Sequence, residues 1–152
     1  MYIGTNIKGD IKMELIIEKG DLFDLEKEYP LAHCISADFK LGLGIALEFD
    51  KKYKMGSKLR CNYTVDGKVP NCIRVDNTYN LVTKPKYWHK PTYKTLEGSL
   101  ILMRDQMLSK GECKVAIPKI GCGLDKLQWG EVIEIIKRVF KETEIEVRVR
   151  LK

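Results

Sequence analysis

The order of apolar segments along the chain is the feature that most restricts its fold. Short segments with strand character are followed by longer segments whose apolar residues recur at helical spacing. Strands that are separated by a helix are joined by crossovers, so such neighbours run parallel. The sequence therefore predicts an α/β fold, with much of the sheet parallel and helices on both faces.

Individual segments give the predicted elements. The segments with strand character are "MELIIEKGDLF", "LAHCISAD", "CIRVDN", "YNLVTK", "KVAIPKI" and "EIEVRVRLK", and residues 1–8 are expected to pair with the first of them through Lys8-Gly9-Asp10. This hairpin and a second one, with Asp76-Asn77-Thr78 as its turn, make the sheet mixed. The clearest helix has Leu96, Leu100, Met103 and Met107 on one face and Gly111 as its cap. Shorter helices are expected just after Gly42 and Gly44, from Met55 to about Cys61, and from Trp129 onward.

Length and composition narrow the class of protein. The 152 residues fit one domain, residues 1–152, and no apolar run approaches the roughly 20 residues of a membrane helix. The first residues lack the pattern of a signal peptide, so we expect a cytoplasmic protein that does not contact a membrane. The net charge of +6 suits a phosphate-bearing ligand or another polyanion, although a solvated, lysine-rich surface is the simpler explanation for most of these lysines.

The cysteines and histidines predict no metal site. Five cysteines form no C-x-x-C pair, and the chain has only two histidines, His33 and His89. We expect reduced thiols, no metal and no cofactor. Cys34 and Cys122 lie in candidate loops, which leaves a catalytic thiol as an alternative.

Two glycine pairs are candidates for binding phosphate. "GLG", containing Gly42 and Gly44, precedes a predicted helix, and "GCG", containing Gly121 and Gly123, follows a predicted strand. Glycine lets backbone N–H groups converge on an anion, and a helix N-terminus adds a favourable dipole. Ordinary turns explain either pair alone, and neither fits a P-loop or a Rossmann motif.

Polar side chains follow several predicted strands. Asp21 follows the strand predicted for "MELIIEK". Its carboxylate would either accept a hydrogen bond from the amine of a nucleotide base or cap a turn. Ser36 and Asp38 would either meet a ribose or organise their own loop. Lys84 ends an apolar run. A lysine that is desolvated at the rim of a cleft can lose its proton, and the uncharged amine is a nucleophile. The simpler interpretation is an ordinary surface lysine.

Four blocks of sequence together resemble the macrodomain family. They are "KGDLF", "AHCISADFKLGLGIA", "LVTK" with "HKPTY", and "PKIGCGLDKLQW", and they extend over nearly the whole chain in the family's order. The chain is most similar to the ALC-like branch, which includes the terminal ADP-ribose protein glycohydrolases. The resemblance implies a three-layer α/β/α sandwich with a mixed central sheet of about six strands, and an ADP-ribose cleft at the carboxyl edge of that sheet.

The resemblance also implies roles for single residues. Lys84 corresponds to a lysine that attacks the anomeric carbon of the distal ribose, and Asp125 to an acid that helps to release the product. Asp21 corresponds to the acid that binds the adenine amine. The other residues implied to bind the substrate are Leu22, Ser36, Gly42, Gly44, Ile45, Pro118, Ile120, Gly121, Cys122, Gly123 and Leu124.

The implied activity is a hydrolase that removes mono-ADP-ribose from protein glutamate or aspartate and deacylates O-acyl-ADP-ribose. The same branch includes bacterial antitoxins that act on ADP-ribosylated DNA, and the stretch "KPKYWHKPTYK" with the positive charge favours that alternative. A reader that binds ADP-ribose without turnover is a third possibility, and it would not need Lys84 or Asp125. An unrelated α/β domain whose glycines only form turns is the fourth. We expect a monomer whose partners are ADP-ribose and ADP-ribosylated macromolecules.

Overall fold

The structure, a computed structural model, describes residues 2–8 and 11–152, with side chains from residue 12 onward. Within these residues seven strands form one sheet in the order β1-β2-β7-β6-β3-β5-β4. The strands are β1 (Tyr2–Lys8), β2 (Ile11–Lys19), β3 (Leu31–Ser36), β4 (Asn71–Val75), β5 (Thr78–Lys84), β6 (Lys114–Ile117) and β7 (Glu146–Leu151). The sequence predicts about six strands, and the sheet has seven.

The sheet is mixed, as the sequence predicts. The five central strands, β2, β7, β6, β3 and β5, run parallel, while β1 and β4 pair antiparallel at the two edges. The β1–β2 pairing is confirmed, but Gly9 and Asp10 of the predicted turn lie outside the described residues. The second hairpin turns through Asp76 and Asn77, and Thr78 already belongs to β5. Asp76 has a φ of 52°, a left-handed conformation that aspartate tolerates better than most residues do.

Four α-helices accompany the sheet in the described part of the chain: α1 (Gly44–Tyr53), α2 (Met55–Asn62), α3 (Tyr93–Lys110) and α4 (Trp129–Phe140). A short 3-10 helix spans Leu22–Leu25. The start of α3 is fixed by a reciprocal capping box between Thr92 and Thr95, and its end by Gly111 at a φ of 73°. None of the described helices is long and apolar enough to cross a membrane.

Two apolar clusters lie on opposite faces of the sheet. One packs α3 and α4 against the sheet and contains the predicted stripe of Leu96, Leu100, Met103 and Met107, all fully buried. The other packs the 3-10 helix, α1 and α2 against the opposite face around Phe49. Apolar side chains on both faces explain why the central strands are rich in valine, isoleucine and leucine. The predicted three-layer α/β/α sandwich is confirmed.

The parallel strands position the polar segments. β2, β3, β5 and β6 all end at one edge, so the residues that follow them meet there: Gly20-Asp21, residues 36–44, Lys84 and residues 118–127. In open sheets of this kind, ligands bind outside the carboxyl ends of the strands. The candidate residues that are far apart in sequence therefore share one edge of the fold.

Candidate active site

Lys84 and Asp125 form an ion pair at the carboxyl edge of the sheet. The Nζ atom of Lys84 lies 2.7 Å from Oδ1 of Asp125, and each side chain is 15% exposed. Lys84 is the last residue of β5, and Asp125 lies in the loop between β6 and α4. The pair is sheltered enough for a strong electrostatic interaction yet remains open to a ligand from solvent.

A β-bulge sets the position of Lys84. Ile35 of β3 pairs with Val82 of β5, but the next residue, Ser36, pairs with Lys84. Thr83 is therefore the extra residue of a bulge, a feature that often re-aims a side chain next to an active site. Paired residues of neighbouring strands point to the same face, so the bulge turns Lys84 to the side of Ser36. The Thr83 hydroxyl is buried and has no hydrogen-bond partner among the described residues.

The loop that carries Asp125 is held by its own backbone. The N–H of Leu127 donates to the carbonyl of Gly121 at 2.7 Å, and the N–H of Lys126 donates to the carbonyl of Gly123 at 3.2 Å. Gly121 has a φ of 73°, and a Cβ there would come within 3.0 Å of the Leu127 side chain. Gly123 has no positive φ, and a Cβ there would meet no atom within 4 Å. The local fold therefore needs glycine at position 121 but not at position 123.

The loop of Gly42 and Gly44 faces the loop that carries Asp125. Gly44 begins α1 with a φ of 60°, and a Cβ there would lie 3.3 Å from the side chain of Leu124. Leu43 precedes the helix and offers no side-chain cap, which leaves the first N–H groups of α1 to solvent or a ligand. Gly42 has open space around it. Two backbone loops thus meet beside Lys84 and Asp125, an arrangement suited to an anion.

Asp21 takes part in a helix cap. Its Oδ1 atom accepts a hydrogen bond from the N–H of Phe23 at 3.0 Å, at the start of the 3-10 helix. Arg150 donates to the backbone carbonyl of Asp21 at 3.2 Å. Leu22 is buried in the core, so only its backbone is available to a ligand. The capping role that the sequence left open for Asp21 is present, and a carboxylate with two oxygens can also accept a bond from a ligand.

Ser36 and Asp38 organise their own loop. The buried Ser36 hydroxyl donates to Asp38, which also accepts from the N–H of Lys40 at 3.2 Å and from the N–H of Tyr87 at 3.0 Å. Burial acts to raise the Asp38 pKa, but these hydrogen bonds outweigh it and leave the pKa below its usual value. Ser36 keeps only its acceptor lone pairs free for a ligand.

Cys34 lies within β3, not in a loop as the sequence suggested, and it is close to the ion pair. Burial raises the pKa of its thiol well above the usual range, and the charge of Asp125 acts in the same direction. Burial also raises the pKa of Cys122. A thiolate nucleophile needs the opposite shift, so neither cysteine has the character of a catalytic thiol. Within residues 12–152, no three side chains of His, Cys, Asp or Glu form a group that could hold a metal ion.

The remaining predicted residues lie on the same two loops. Ile45 is half-buried in the first turn of α1, and Ile120 is buried in the core beneath the loop that carries Asp125. Pro118 accepts a hydrogen bond from the N–H of Ile120 at 2.8 Å. A cavity of about 490 Å³ lies elsewhere, beside β4 and the segment that precedes it, and none of the predicted site residues lines it.

Comparison with known proteins identifies the family. No protein-family model matches the chain. Human ADP-ribose glycohydrolase OARD1 is 42% identical over 132 residues, which cover 86% of this chain and 87% of the human protein. The chain belongs to the OARD1 family of macrodomain proteins. The resemblance drawn from its four sequence blocks is confirmed.

More distant relatives share the fold of this OARD1-family chain. The macrodomain of Mycobacterium tuberculosis DarG matches with a TM-score of 0.77 and 21% sequence identity, over 90% of this chain and 96% of that one. The DNA ADP-ribosyl transferase–DNA ADP-ribosyl glycohydrolase fusion protein of Thermosipho africanus is 28% identical over 108 residues, 69% of this chain and 28% of that longer protein. The macrodomain architecture of the OARD1-family chain is thus common to proteins that differ widely in sequence.

Proposed function

We propose that this chain is an ADP-ribosyl glycohydrolase that removes mono-ADP-ribose from glutamate and aspartate side chains of proteins and deacylates O-acyl-ADP-ribose. The observation that carries the proposal is the 2.7 Å contact between Lys84 and Asp125 at the meeting point of two glycine loops. The name of the human relative, an ADP-ribose glycohydrolase, supports the reaction class.

The substrate lies along the carboxyl edge of the sheet. Asp21 and the backbone of Leu22 bind the adenine end. The two glycine loops hold the diphosphate and the distal ribose through Ser36, Gly42, Gly44, Ile45, Pro118, Ile120, Gly121, Cys122, Gly123 and Leu124. Lysine-rich surroundings and converging N–H groups favour the two negative charges of the diphosphate.

Lys84 and Asp125 carry the reaction. Asp125 accepts a proton from the Lys84 ammonium, and the neutral amine attacks the anomeric carbon of the distal ribose. The bond from that carbon to the carboxylate oxygen breaks, and the carboxylate leaves with the electron pair. Water then displaces the amine from the anomeric carbon, with Asp125 moving the protons, and ADP-ribose and free Lys84 are regenerated. A carboxylate is a good leaving group. Cleavage of the ester to a protein side chain, or of an O-acyl ester, therefore does not require a strong acid to protonate the departing oxygen.

The test is release of ADP-ribose from a protein that is mono-ADP-ribosylated on glutamate. We expect release by the wild type and none above background by Lys84→Ala, while both bind free ADP-ribose. Lys86→Ala, which removes an exposed lysine two residues away, is the matched control and retains release. Equal release by wild type and Lys84→Ala would contradict the mechanism, and binding by both without release would favour a reader.

ADP-ribosylated DNA is the second candidate substrate. The Thermosipho relative, whose name includes DNA ADP-ribosyl glycohydrolase, and the basic and aromatic residues after Lys84 support it. Binding of a nucleic acid weakens steeply with added salt, because counterions are released from the phosphates. Free ADP-ribose has few charges and is expected to bind with little salt dependence, so a salt titration separates the two ligands.

The remaining features of the proposal concern the whole protein. We expect residues 1–152 to act as one macrodomain, as a monomer and in the cytoplasm. The free cysteines, two of which, Cys61 and Cys113, are exposed, fit a reducing compartment. Size-exclusion chromatography with light scattering tests the monomer.

A further inference from the structure

The segment between β5 and α3 and the first residue of α3 contact the loop that carries Asp125 at two points. The Nζ atom of Lys90 donates to the carbonyl of Leu124 at 2.6 Å. The hydroxyl of Tyr93 accepts from the N–H of Gln128 at 3.0 Å. These contacts lie on either side of Asp125 in the sequence, so the loop is tied down both before and after its carboxylate.

Lys90 and Tyr93 start from fixed backbone positions. The N–H of His89 donates to the carbonyl of Lys86 at 3.0 Å, and Nδ1 of His89 accepts from the N–H of Lys86 at 3.2 Å. These two bonds close a turn directly before Lys90. Pro91 is buried, and Tyr93 begins α3, whose start is fixed by a reciprocal capping box. Both side chains therefore have a firm base from which to hold the loop.

The loop itself needs such contacts to keep one conformation. Leu124, which precedes Asp125, is 57% exposed, so its side chain contributes little packing. Lys126, which follows Asp125, has a φ of 62°, a left-handed conformation that is unfavourable for lysine. A residue in such a conformation persists where the surrounding structure imposes it. Polar contacts from a neighbouring segment supply that constraint on both sides of Asp125.

We propose that Lys90 and Tyr93 are positioning residues that hold Asp125 against the amine of Lys84. The 2.7 Å contact between Lys84 and Asp125 joins the end of β5 to the loop, and Lys90 and Tyr93 follow Lys84 on the same stretch of chain. One stretch, residues 84–93, thus carries both the amine and the groups that hold its partner. The inference rests on the proposed function, in which Asp125 accepts the proton of Lys84.

The first test measures kcat and KM for ADP-ribose release from the glutamate-ADP-ribosylated protein. Lys90→Met and Tyr93→Phe each remove the polar contact and keep the size of the side chain. We expect kcat to fall roughly 10- to 100-fold in each, the cost of misplacing a catalytic group by about 1 Å, while KM stays within about threefold. Lys90→Arg keeps a cationic donor and should recover most of the loss. Lys94→Met, at an exposed lysine in the first turn of α3, is the matched control and should behave as the wild type.

A double substitution tests whether Lys90 acts through Asp125. In Asp125→Asn, which cannot take the proton, the further change Lys90→Met should slow release by less than about twofold. An equal loss from Lys90→Met in both backgrounds would overturn the proposal, because Lys90 would then act independently of Asp125. A raised KM with an unchanged kcat, or unchanged kinetics in both Lys90→Met and Tyr93→Phe, would also overturn it.

Hydrogen exchange of the full chain, followed by mass spectrometry, tests the contacts without turnover. Residues 121–128 should exchange severalfold faster in Lys90→Met and Tyr93→Phe than in the wild type or Lys94→Met, because the loop opens more often. Exchange in β3 should not change, which confirms that the variants are folded. Unaltered exchange of the loop in both variants would overturn the proposal. No release by the wild type, with faster loop exchange in the variants, would count against the hydrolase and leave the positioning contacts supported.

Discussion

Lys84 and Asp125 are 41 positions apart in sequence, yet their charged atoms lie 2.7 Å apart and each side chain is only 15% exposed. Two features bring them together. The bulge at Thr83 turns Lys84 towards Ser36, and the backbone bonds of residues 121–127 hold the loop of Asp125 above the end of β6. In the proposed mechanism, this contact gives the Lys84 amine a proton acceptor, because the amine has to lose a proton before it can attack.

Replacing Asp125 by asparagine should slow the reaction without preventing ligand binding. The amide oxygen can still accept a hydrogen bond from Lys84, but it cannot take the proton. We expect single-turnover release of ADP-ribose to fall by roughly 10²- to 10⁴-fold, the usual contribution of a general base. Asp105→Asn, which alters an exposed aspartate paired with Arg104 on α3, is the control. A rate for Asp125→Asn within threefold of the wild type would contradict the role of Asp125.

Replacing Gly123 by alanine should separate folding from binding. A Cβ at this position meets no protein atom within 4 Å, so the free energy of unfolding should change by less than about 0.5 kcal/mol. In the proposed complex, the methyl group would occupy the space through which the backbone approaches the diphosphate. ADP-ribose affinity, measured by calorimetry, should therefore fall roughly tenfold or more, the effect of losing one hydrogen bond to a charged group.

Gly130→Ala is the matched control for this substitution. Gly130 also has no neighbour within 4 Å of an added Cβ, but it lies in the first turn of α4 outside the proposed cleft. Its replacement should leave ADP-ribose affinity unchanged. Unaltered affinity in Gly123→Ala would show that the loop of Gly121 and Gly123 does not contact the diphosphate.

Replacing Cys34 by alanine should preserve turnover. Burial and the charge of Asp125 raise the pKa of this thiol, so it remains protonated near neutral pH. We expect release within tenfold of the wild-type rate. Iodoacetamide at pH 8 should modify the exposed Cys61 and Cys113 before Cys34, as peptide mass spectrometry would show. Abolished release in a folded Cys34→Ala protein would point to a thiol mechanism instead.

His33 should make the fold sensitive to mild acid. Its ring is fully buried against Phe49, and its Nε2 atom lies 2.6 Å from Oδ1 of Asn80. The amide nitrogen of Asn80 donates to the carbonyl of Ile73, so the amide oxygen is the acceptor and Nε2 of His33 carries the proton. Nδ1 is left unprotonated and without a partner among the described residues.

Burial lowers the pKa of His33 to about 4. Because an unfolded histidine has a pKa of about 6.5, the unfolded chain takes up a proton between pH 6.5 and 4 that the folded chain excludes. Stability therefore falls as the pH falls through this range, by roughly 2 to 3 kcal/mol between pH 7 and pH 4.5. Urea unfolding of the wild type and of His33→Gln at both pH values measures the effect. The variant should lack this loss, and identical pH dependence in both proteins would refute the prediction.

Local patterns predicted the elements well, whereas contacts between distant segments could not be predicted. The stripe on α3 and its capping glycine were visible because a helix has a fixed period and a known end signal. The bulge at Thr83 was not visible, because a register shift depends on how two separate strands pair. The hydrogen bonds of Tyr87 to Asp38 and of Lys90 to Leu124 join segments that no local pattern relates.

The candidate site shows the same division. That its polar segments share one edge followed from the parallel order of the strands, so the sequence alone placed them together. The sequence could not show why each glycine is present. Gly121 is required by its positive φ and by the nearby Leu127 side chain, whereas no neighbouring atom requires glycine at position 123. The position of Cys34 beside Asp125 was also missed, because an apolar strand gives no sign of which side chain borders a cleft.

The most direct test of the account is to identify the residue that becomes attached to the sugar. The full chain would be mixed with a glutamate-ADP-ribosylated protein and treated with borohydride. The adduct of the Lys84 amine on the anomeric carbon opens to an imine when the ring oxygen leaves as a hydroxyl, and borohydride reduces that imine to a stable secondary amine. The protein would then be digested for mass spectrometry. The account predicts one modified peptide, in which Lys84 has gained the mass of ADP-ribose less one water plus two hydrogens, and no modification of Lys86 or Lys90. An adduct on another residue, or continued turnover with no adduct under the same conditions, would contradict it.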